Sequence, residues 1–492
     1  MLGDMHVDPF RLTAANQAPE RPDGRYVLYW MTAARRPHAN WALQHAIAQA
    51  AAYGRPLVVL EALRVAYPHA SDRMHRFAID GMDDNRAAFA ATPITYLPYV
   101  EPQAGAGSGL VETLAARACL VVTDDYPAFF LPRMLAAVAA RVAVRVVAVD
   151  GNGLLPLRAA STAYGRAVDF RRHLQRIGGR FLGQWPDPQP LTAANRLPRL
   201  TGDLGIGRWP LADLDALVAG GIARLPIDHA VPVVDERGGW RAAEVALRRF
   251  LDHRLERYAE RSHPDSEAGS DLSPWLKWGH LSAQAVARAV LDRAGWSPER
   301  LGPVTASKEG WWGIDAASEA FLDELVTWRE LGYGYCCFRA DHASYASLPD
   351  WCRATLAAHA GDPRPQRYDL AALDAAATHD PVWNAAQRQL VATGRMHNYL
   401  RMLWGKKVLE WSPSPEAAWD ILFHLNDRYA LDGRDPNTAS GVGWVFGRFD
   451  RPWAPQRPIF GTIRYMSSDN TVRKLHLKQY LARWSGQQQL FA

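Results

Sequence analysis

Trp404 and Trp411 stand seven residues apart. On a helix that is two turns and ~10 Å of rise along one face. The separation suits an electron hop between aromatic rings, although two tryptophans at heptad spacing serve equally well as core packing. Asn426, beside Asp427, falls inside a helical pattern where a capping role does not explain it, and its carboxamide can donate or accept. In the run Gly269-Ser270-Asp271-Leu272-Ser273-Pro274, hydroxyls and backbone N–H groups at a helix start suit a pyrophosphate, or simply cap a helix. Asp271 is acidic where an anion would approach, so its side chain is expected to point away. Glu324 and Trp328, four apart, share one helical face; unaided, they read as a solvated acid beside a buried ring.

The elements that carry these residues lie late in the chain. Residues 242–262, 282–295, 318–331, 381–411 and 414–433 each repeat apolar positions at i, i+3 and i+4, which predicts helices. Asp380-Pro381 supplies a cap and a first-turn proline for one of them. The first third is different. RYVLYW from Arg25, PLVVLEAL, TYLPYV, CLVVTDD and VRVVAVD, ending at Asp150, are β-branched runs separated by helical segments. That alternation predicts βαβ units and a parallel, Rossmann-like sheet covered on both faces. No GxGxxG follows the first strand, so a standard dinucleotide site is not expected there. The expected organisation is a loose polar tail (1–24), an α/β domain (25–180), a Pro/Gly-containing linker (181–240) and an all-helical domain (241–492).

Length and composition agree. A chain of 492 residues exceeds one ordinary core. Its apolar content of 48% and charged content of 22% are those of a folded globular protein. No run approaches the ~20 apolar residues needed to span a bilayer, and the N-terminus does not read as a signal peptide. Cys119, Cys336, Cys337 and Cys352 show no CxxC spacing, which disfavours a zinc site or disulfide scaffold and fits a reducing cytoplasm. A net charge of +5 permits a polyanionic partner without demonstrating one. Seventeen of the 19 tryptophans lie from Trp185 onward, which implies stacking surfaces and relays or an aromatic-rich helical core.

Six strings, in order, carry a resemblance. LSPWLKWGHLS (Leu272 to Ser282), FLDELVTWREL (Phe321 to Leu331), HDPVWNAAQ (His379 to Gln387), MHNYLRMLWGKKVLEW (Met396 to Trp411), LNDRYALDGRDPN (Leu425 to Asn437) and RPIFGTIRYM (Arg457 to Met466) resemble the photolyase–cryptochrome family. They look specifically like its class II cyclobutane-dimer photolyases. The likeness runs from Tyr29 to the C-terminus and is dense after Ser270.

The resemblance implies an α/β domain followed by an all-helical FAD-binding domain, and light-driven repair of pyrimidine dimers in DNA. Fully reduced FAD, excited by light, would pass an electron to a flipped dimer and recover it after the ring splits, a carbon–carbon lyase reaction. Glu324 would hydrogen-bond the damaged bases, stabilising a base that carries an extra electron. Trp328, Met402 and Trp444 would wall the pocket of the flipped dimer. Arg401, Asn426 and Asp432 would surround the flavin ring, and Tyr258, Ser270, Leu272 and Ser273 would contact the rest of FAD. Trp383, Trp404 and Trp411 would reduce the flavin. Arg388, Arg395, Lys406, Lys407, Arg464, Arg473 and Lys474 would meet phosphates. No metal is expected.

UV-damaged DNA is the implied partner, bound by a monomer in the cytoplasm that joins the nucleoid when engaged, with no membrane involved. The N-terminal YWMTAARRPHANWAL keeps the class II YWM and NWAL frame without its usual acidic stretch. A second, antenna chromophore such as 8-hydroxy-5-deazaflavin therefore stays open. Three alternatives remain: a cryptochrome-like photoreceptor, against which the absence of a long extension after Gln489 counts; a (6-4) photolyase, for whose histidine chemistry His397 has no obvious partner; and a non-catalytic DNA-binding flavoprotein.

Overall fold

The computed structural model describes residues 5–486. Residues 1–4 of the expected tail and 487–492 at the end of the expected helical domain, Gln489 included, lie outside it. The chain divides into two compact units. One takes in residues up to 161 with 177–248 and 272–301; the other takes in 162–176, 249–271 and 302 onward. Residues 272–301, expected in the helical domain, thus group with the first unit.

The first unit is built on a six-stranded sheet of β1 (Leu12–Ala14), β2 (Tyr26–Met31), β3 (Leu57–Leu63), β4 (Thr95–Val100), β5 (Ala118–Asp124) and β6 (Val146–Val149), in the order β1-β6-β5-β2-β3-β4. All neighbours are parallel except β1, which runs antiparallel to β6 with Leu12 opposite Val149. Part of the stretch expected as a loose tail is therefore an edge strand. Every residue of β2 and β5 is buried. Period-two alternation sends Val27, Tyr29 and Met31 into one core and Tyr26, Leu28 and Trp30 into the other. Helix α1 (Trp41–Tyr53) covers one face; Asn40 Oδ1 accepts from the N–H groups of Ala42 and Leu43, and Gly54 ends it at φ 62°. Asp124 lies at the end of β5 beside the end of β2, where the strand order reverses. Its carboxylate accepts from the backbone N–H groups of Thr32, Ala33 and Ala34 at 2.7, 2.7 and 3.1 Å and from the Tyr29 hydroxyl at 2.9 Å.

The second unit is helical. Ala316–Leu322 runs through a π-helical turn, Asp323–Trp328, into Arg329–Phe338. Pro381–Thr393, Asn398–Trp411, Pro415–Tyr429 and Pro436–Val445 follow. Asp380 caps the first of these by accepting from the N–H groups of Val382 and Trp383. The segment expected to run unbroken from Pro381 to Trp411 is two helices, because Gly394 takes φ 70° after Thr393. Arg329–Phe338 packs on Pro436–Val445, which also packs on Asn398–Trp411. Two glycines permit that closeness. A β-carbon at Gly332 would lie 2.3 Å from Ser440 Oγ, and one at Gly405 would lie 2.4 Å from Val445 Cγ2. Among the described residues no helix is long and apolar enough to cross a membrane.

Candidate active site

The π turn presents the first constellation. In an i→i+5 turn residues four apart still project to nearly the same side, and such turns recur at functional positions. Glu324 and Trp328 are both half-buried on it. The Glu324 carboxylate pairs with Arg261 at 3.1 Å while its side chain stays 34% exposed. Desolvation pushes the Glu324 carboxyl above its ordinary range, and Arg261 opposes the rise. Arg261 also lies 4.8 Å over the ring of buried Tyr258, whose hydroxyl is pushed up chiefly by burial. A carboxyl biased toward its neutral form can donate a hydrogen bond to a carbonyl oxygen. Arg261 is the ionic partner of Glu324 that the motifs did not single out; in sequence it stands one turn beyond Tyr258.

A second constellation is polar. Arg401 and Asp432 form a fork, with Nη1 and Nη2 3.2 and 3.1 Å from the two carboxylate oxygens. Asn426 is buried, and its Nδ2 donates to Thr438 Oγ1 at 3.1 Å and to Asp427 Oδ1 at 3.3 Å. One end of the amide is thereby anchored. A half-exposed guanidinium, a carboxylate and an amide held at one end make a donor and acceptor set that fits the polar edge of a flavin ring. The helices bearing Arg401, Asn426 and Trp444 pack against one another. Met402 and Trp444 are half-buried.

Three tryptophans form a column. Trp383 and Trp404 stack with ring planes 8° apart and centroids 6.3 Å apart; Trp411 meets Trp383 edge-on at 5.7 Å. All three are buried. The ring after Trp404 is therefore Trp383 of the neighbouring helix, and the two-turn spacing of Trp404 and Trp411 is bridged by it. Trp404 Nε1 donates to Gln387 Oε1 at 2.9 Å, which holds the inner ring in plane. Burial of each indole stabilises the unit by on the order of 4 kcal/mol.

Other expectations fare differently. Asp271 adopts φ 58° and turns toward cations: Arg254 pairs with it at 2.6 Å and Arg395 stands 3.8 Å away. Ser270 is half-buried and Leu272 buried, while exposed Ser273 begins a helix of only six residues, Ser273–Trp278. Leu272 and Ser273 belong to the first unit and Tyr258 to the second. Lys406 and Lys407 do not meet phosphate from a solvated face. Lys406 is fully buried, donates from Nζ to Val445 O at 2.6 Å and lies 4.8 Å from the Trp444 ring; Lys407 pairs with Glu410 at 2.8 Å. Arg388 is spent on the carbonyls of Trp484, Ser485 and Ala376. Arg473 and Lys474 are exposed. Among the described residues no group of His, Cys, Asp and Glu could hold a metal ion.

Comparison with known proteins adds kinship. No protein-family model matches the chain. The deoxyribodipyrimidine photo-lyase of Methanothermobacter thermautotrophicus is 34% identical over 471 residues, 95% of this chain and 96% of that protein. That of Oryza sativa subsp. japonica is 33% identical over 93% of this chain and 87% of its own length. In fold, the chain is similar to the cryptochrome of Synechocystis sp. PCC6803, with a TM-score of 0.68 at 15% identity, covering 93% of this chain and 88% of that one.

Proposed function

The chain belongs to the deoxyribodipyrimidine photo-lyase family, and from that premise we propose how its residues carry the light-driven repair of pyrimidine dimers in DNA. The observation that carries the reading is kinship along nearly the whole length of both chains. The family implies a flavin. When bound, reduced FAD supplies the photoexcited electron.

The chain's own residues do the rest. Arg401 and Asp432 hold the polar edge of the ring, and Asn426 offers it the unanchored end of its amide. Tyr258, Arg254 and residues 269–271 take the remainder of the cofactor. Trp328, Met402 and Trp444 replace the stacking that a cyclobutane dimer loses when it leaves the duplex. Glu324 donates to a base carbonyl of the lesion. Because dimer entry removes more water from this carboxyl, it favours the neutral, donating form further. Arg473 and Lys474 meet backbone phosphates and position the strand without reading sequence. Trp411, Trp383 and Trp404, in that order inward, relay an electron toward the cofactor. We assign the repair to cyclobutane dimers in the class II manner, by a cytoplasmic protein.

Half-buried aromatic rings in the first unit support the reading that a second chromophore of the deazaflavin type binds there. Tyr67, Phe129 and Phe130 cluster there with centroids 4.7 to 6.1 Å apart.

Illumination of the purified, reduced protein with a dimer-containing oligonucleotide tests the reading. Pyrimidine absorbance is expected to recover in light and not in the dark, and Glu324→Ala, which leaves no donor, is expected to lower the repair yield roughly tenfold, the scale of one hydrogen bond to a charged group. Equal recovery in light and dark, or none in either, removes the assignment. The absorption spectrum of the same sample reports the flavin and any antenna.

A further inference from the structure

Arg171, on the helix Ala167–Phe181, closes a two-pronged fork on Asp323, 152 positions downstream. Nε meets Oδ1 at 2.9 Å and Nη2 meets Oδ2 at 3.0 Å. Each side chain is only 12% exposed, so salt screens the pair weakly. Asp323 is the first residue of the π-helical turn that carries Glu324 and Trp328. An i→i+5 turn is rare in isolation and persists where its surroundings favour it. Here the surroundings come from one helix. Arg171 Nη1 also reaches Ala306 O at 3.5 Å; Gln175, one turn on, accepts from the N–H groups of Thr305 and Ala306 at 3.0 and 2.6 Å and donates to Ser307 O at 2.9 Å. The same helix thus grips both the start of the turn and the 305–307 loop.

We propose that Arg171 is a positioning residue for dimer repair: its fork with Asp323 sets the direction in which the π turn presents Glu324 and Trp328 to the lesion. This rests on the reading of Glu324 and Trp328 as lesion contacts. The charged and titratable groups facing Glu324 are Arg261, Asp323, Arg171 and Tyr258. Two of them are the fork itself, and they act on the Glu324 carboxyl in opposite senses: Arg171 lowers its pKa and Asp323 raises it.

That opposition supplies the test. In the flavin-loaded enzyme, Arg171→Met and Asp323→Asn each abolish the fork. Both are expected to weaken binding of dimer-containing DNA roughly tenfold, the scale of one charge-assisted hydrogen-bond pair, with binding of undamaged DNA unchanged. Infrared titration of the Glu324 carboxyl band, identified by its loss in Glu324→Gln, separates positioning beside the carboxyl from a remote structural role. Its midpoint is expected to rise in Arg171→Met and fall in Asp323→Asn. Arg171→Lys keeps the charge and loses the fork, so its midpoint stays near that of the parent while dimer binding still weakens. If Arg171→Met does not fold, Arg171→Lys and Asp323→Asn carry the comparison. Midpoints that move together, or dimer binding in Arg171→Lys equal to that of the parent, overturn the proposal. Repair unaffected by Glu324→Ala removes the underlying reading instead, and this proposal with it.

Discussion

Trp383 lies parallel to Trp404, and its indole N–H donates to the Trp404 backbone carbonyl at 3.1 Å. The middle ring of the column is thus fixed to the backbone beneath the inner one. Trp383→Phe keeps the shape of the core approximately and removes the readily oxidised indole. It is expected to nearly abolish light-driven reduction of the oxidised, flavin-loaded protein in the presence of an external donor, with the flavin absorption spectrum unchanged. Trp411→Phe, one ring further out, should slow the same reaction less. Undiminished photoreduction in Trp383→Phe would show that electrons take another route.

The Arg401–Asp432 fork predicts flavin retention. Arg401→Lys keeps the charge but cannot span both carboxylate oxygens. Flavin affinity should fall roughly tenfold, about the worth of the lost second bond to a charged group. Fluorescence titration of apoprotein with FAD measures it. Equal affinity in both proteins would mean that the pair braces the helices and does not touch the cofactor.

Lys406 predicts an unusual pH dependence of stability. Burial lowers its pKa from the ordinary lysine value of 10.5 to about 7. Between those values the unfolded chain holds a proton that the folded chain has released, so folding gains stability as pH rises. Relative to Lys406→Met, the parent protein should become more stable from about pH 7 toward 10, and lose that gain below 7. The difference in Tm between the two proteins, followed across that range, checks the sign. A parent Tm that stays constant or falls relative to that of Lys406→Met as pH rises would place the ammonium in a solvated or well-paired setting.

Asp124 predicts a contrast between two substitutions. Asp124→Ala strands three backbone N–H groups and a tyrosine hydroxyl away from water, and should cost about 3 kcal/mol or more. Asp124→Asn retains an oxygen for the three N–H groups but turns an N–H donor toward the Tyr29 hydroxyl, which loses its acceptor, so it should cost about 1–2 kcal/mol, less than Asp124→Ala. Chemical denaturation of both variants decides.

What the sequence disclosed depended on how local the cause was. The helix start at Asp380-Pro381 was readable because a capping side chain and a first-turn proline act locally. β2 and β5 were readable because strands buried on both faces are continuously apolar. β1 was not: its three residues take their partners from Val147 to Val149, far along the chain, and carry no pattern of their own. The site followed the same division. Motif positions named Glu324, Arg401 and the three tryptophans, but the interposition of Trp383 is a fact of helix packing. The π turn leaves no trace in a 3.6-residue period. Arg171 has nothing nearby in sequence to mark it. Lys406-Lys407 reads as a solvated face until Gly405 brings the two helices together and closes water out.

The carboxylate of Asp124 has one more consequence. In sheets of this topology the crevice at the strand reversal is where nucleotide phosphates ordinarily settle, cradled by main-chain amides. Here those amides already grip an anion of the protein's own making, tied to it covalently and never diluted away. A dinucleotide could dock there only by evicting it. The sheet keeps the shape of a nucleotide-binding platform with its socket permanently stoppered, which leaves the pyrophosphate of FAD to be served from elsewhere in the molecule.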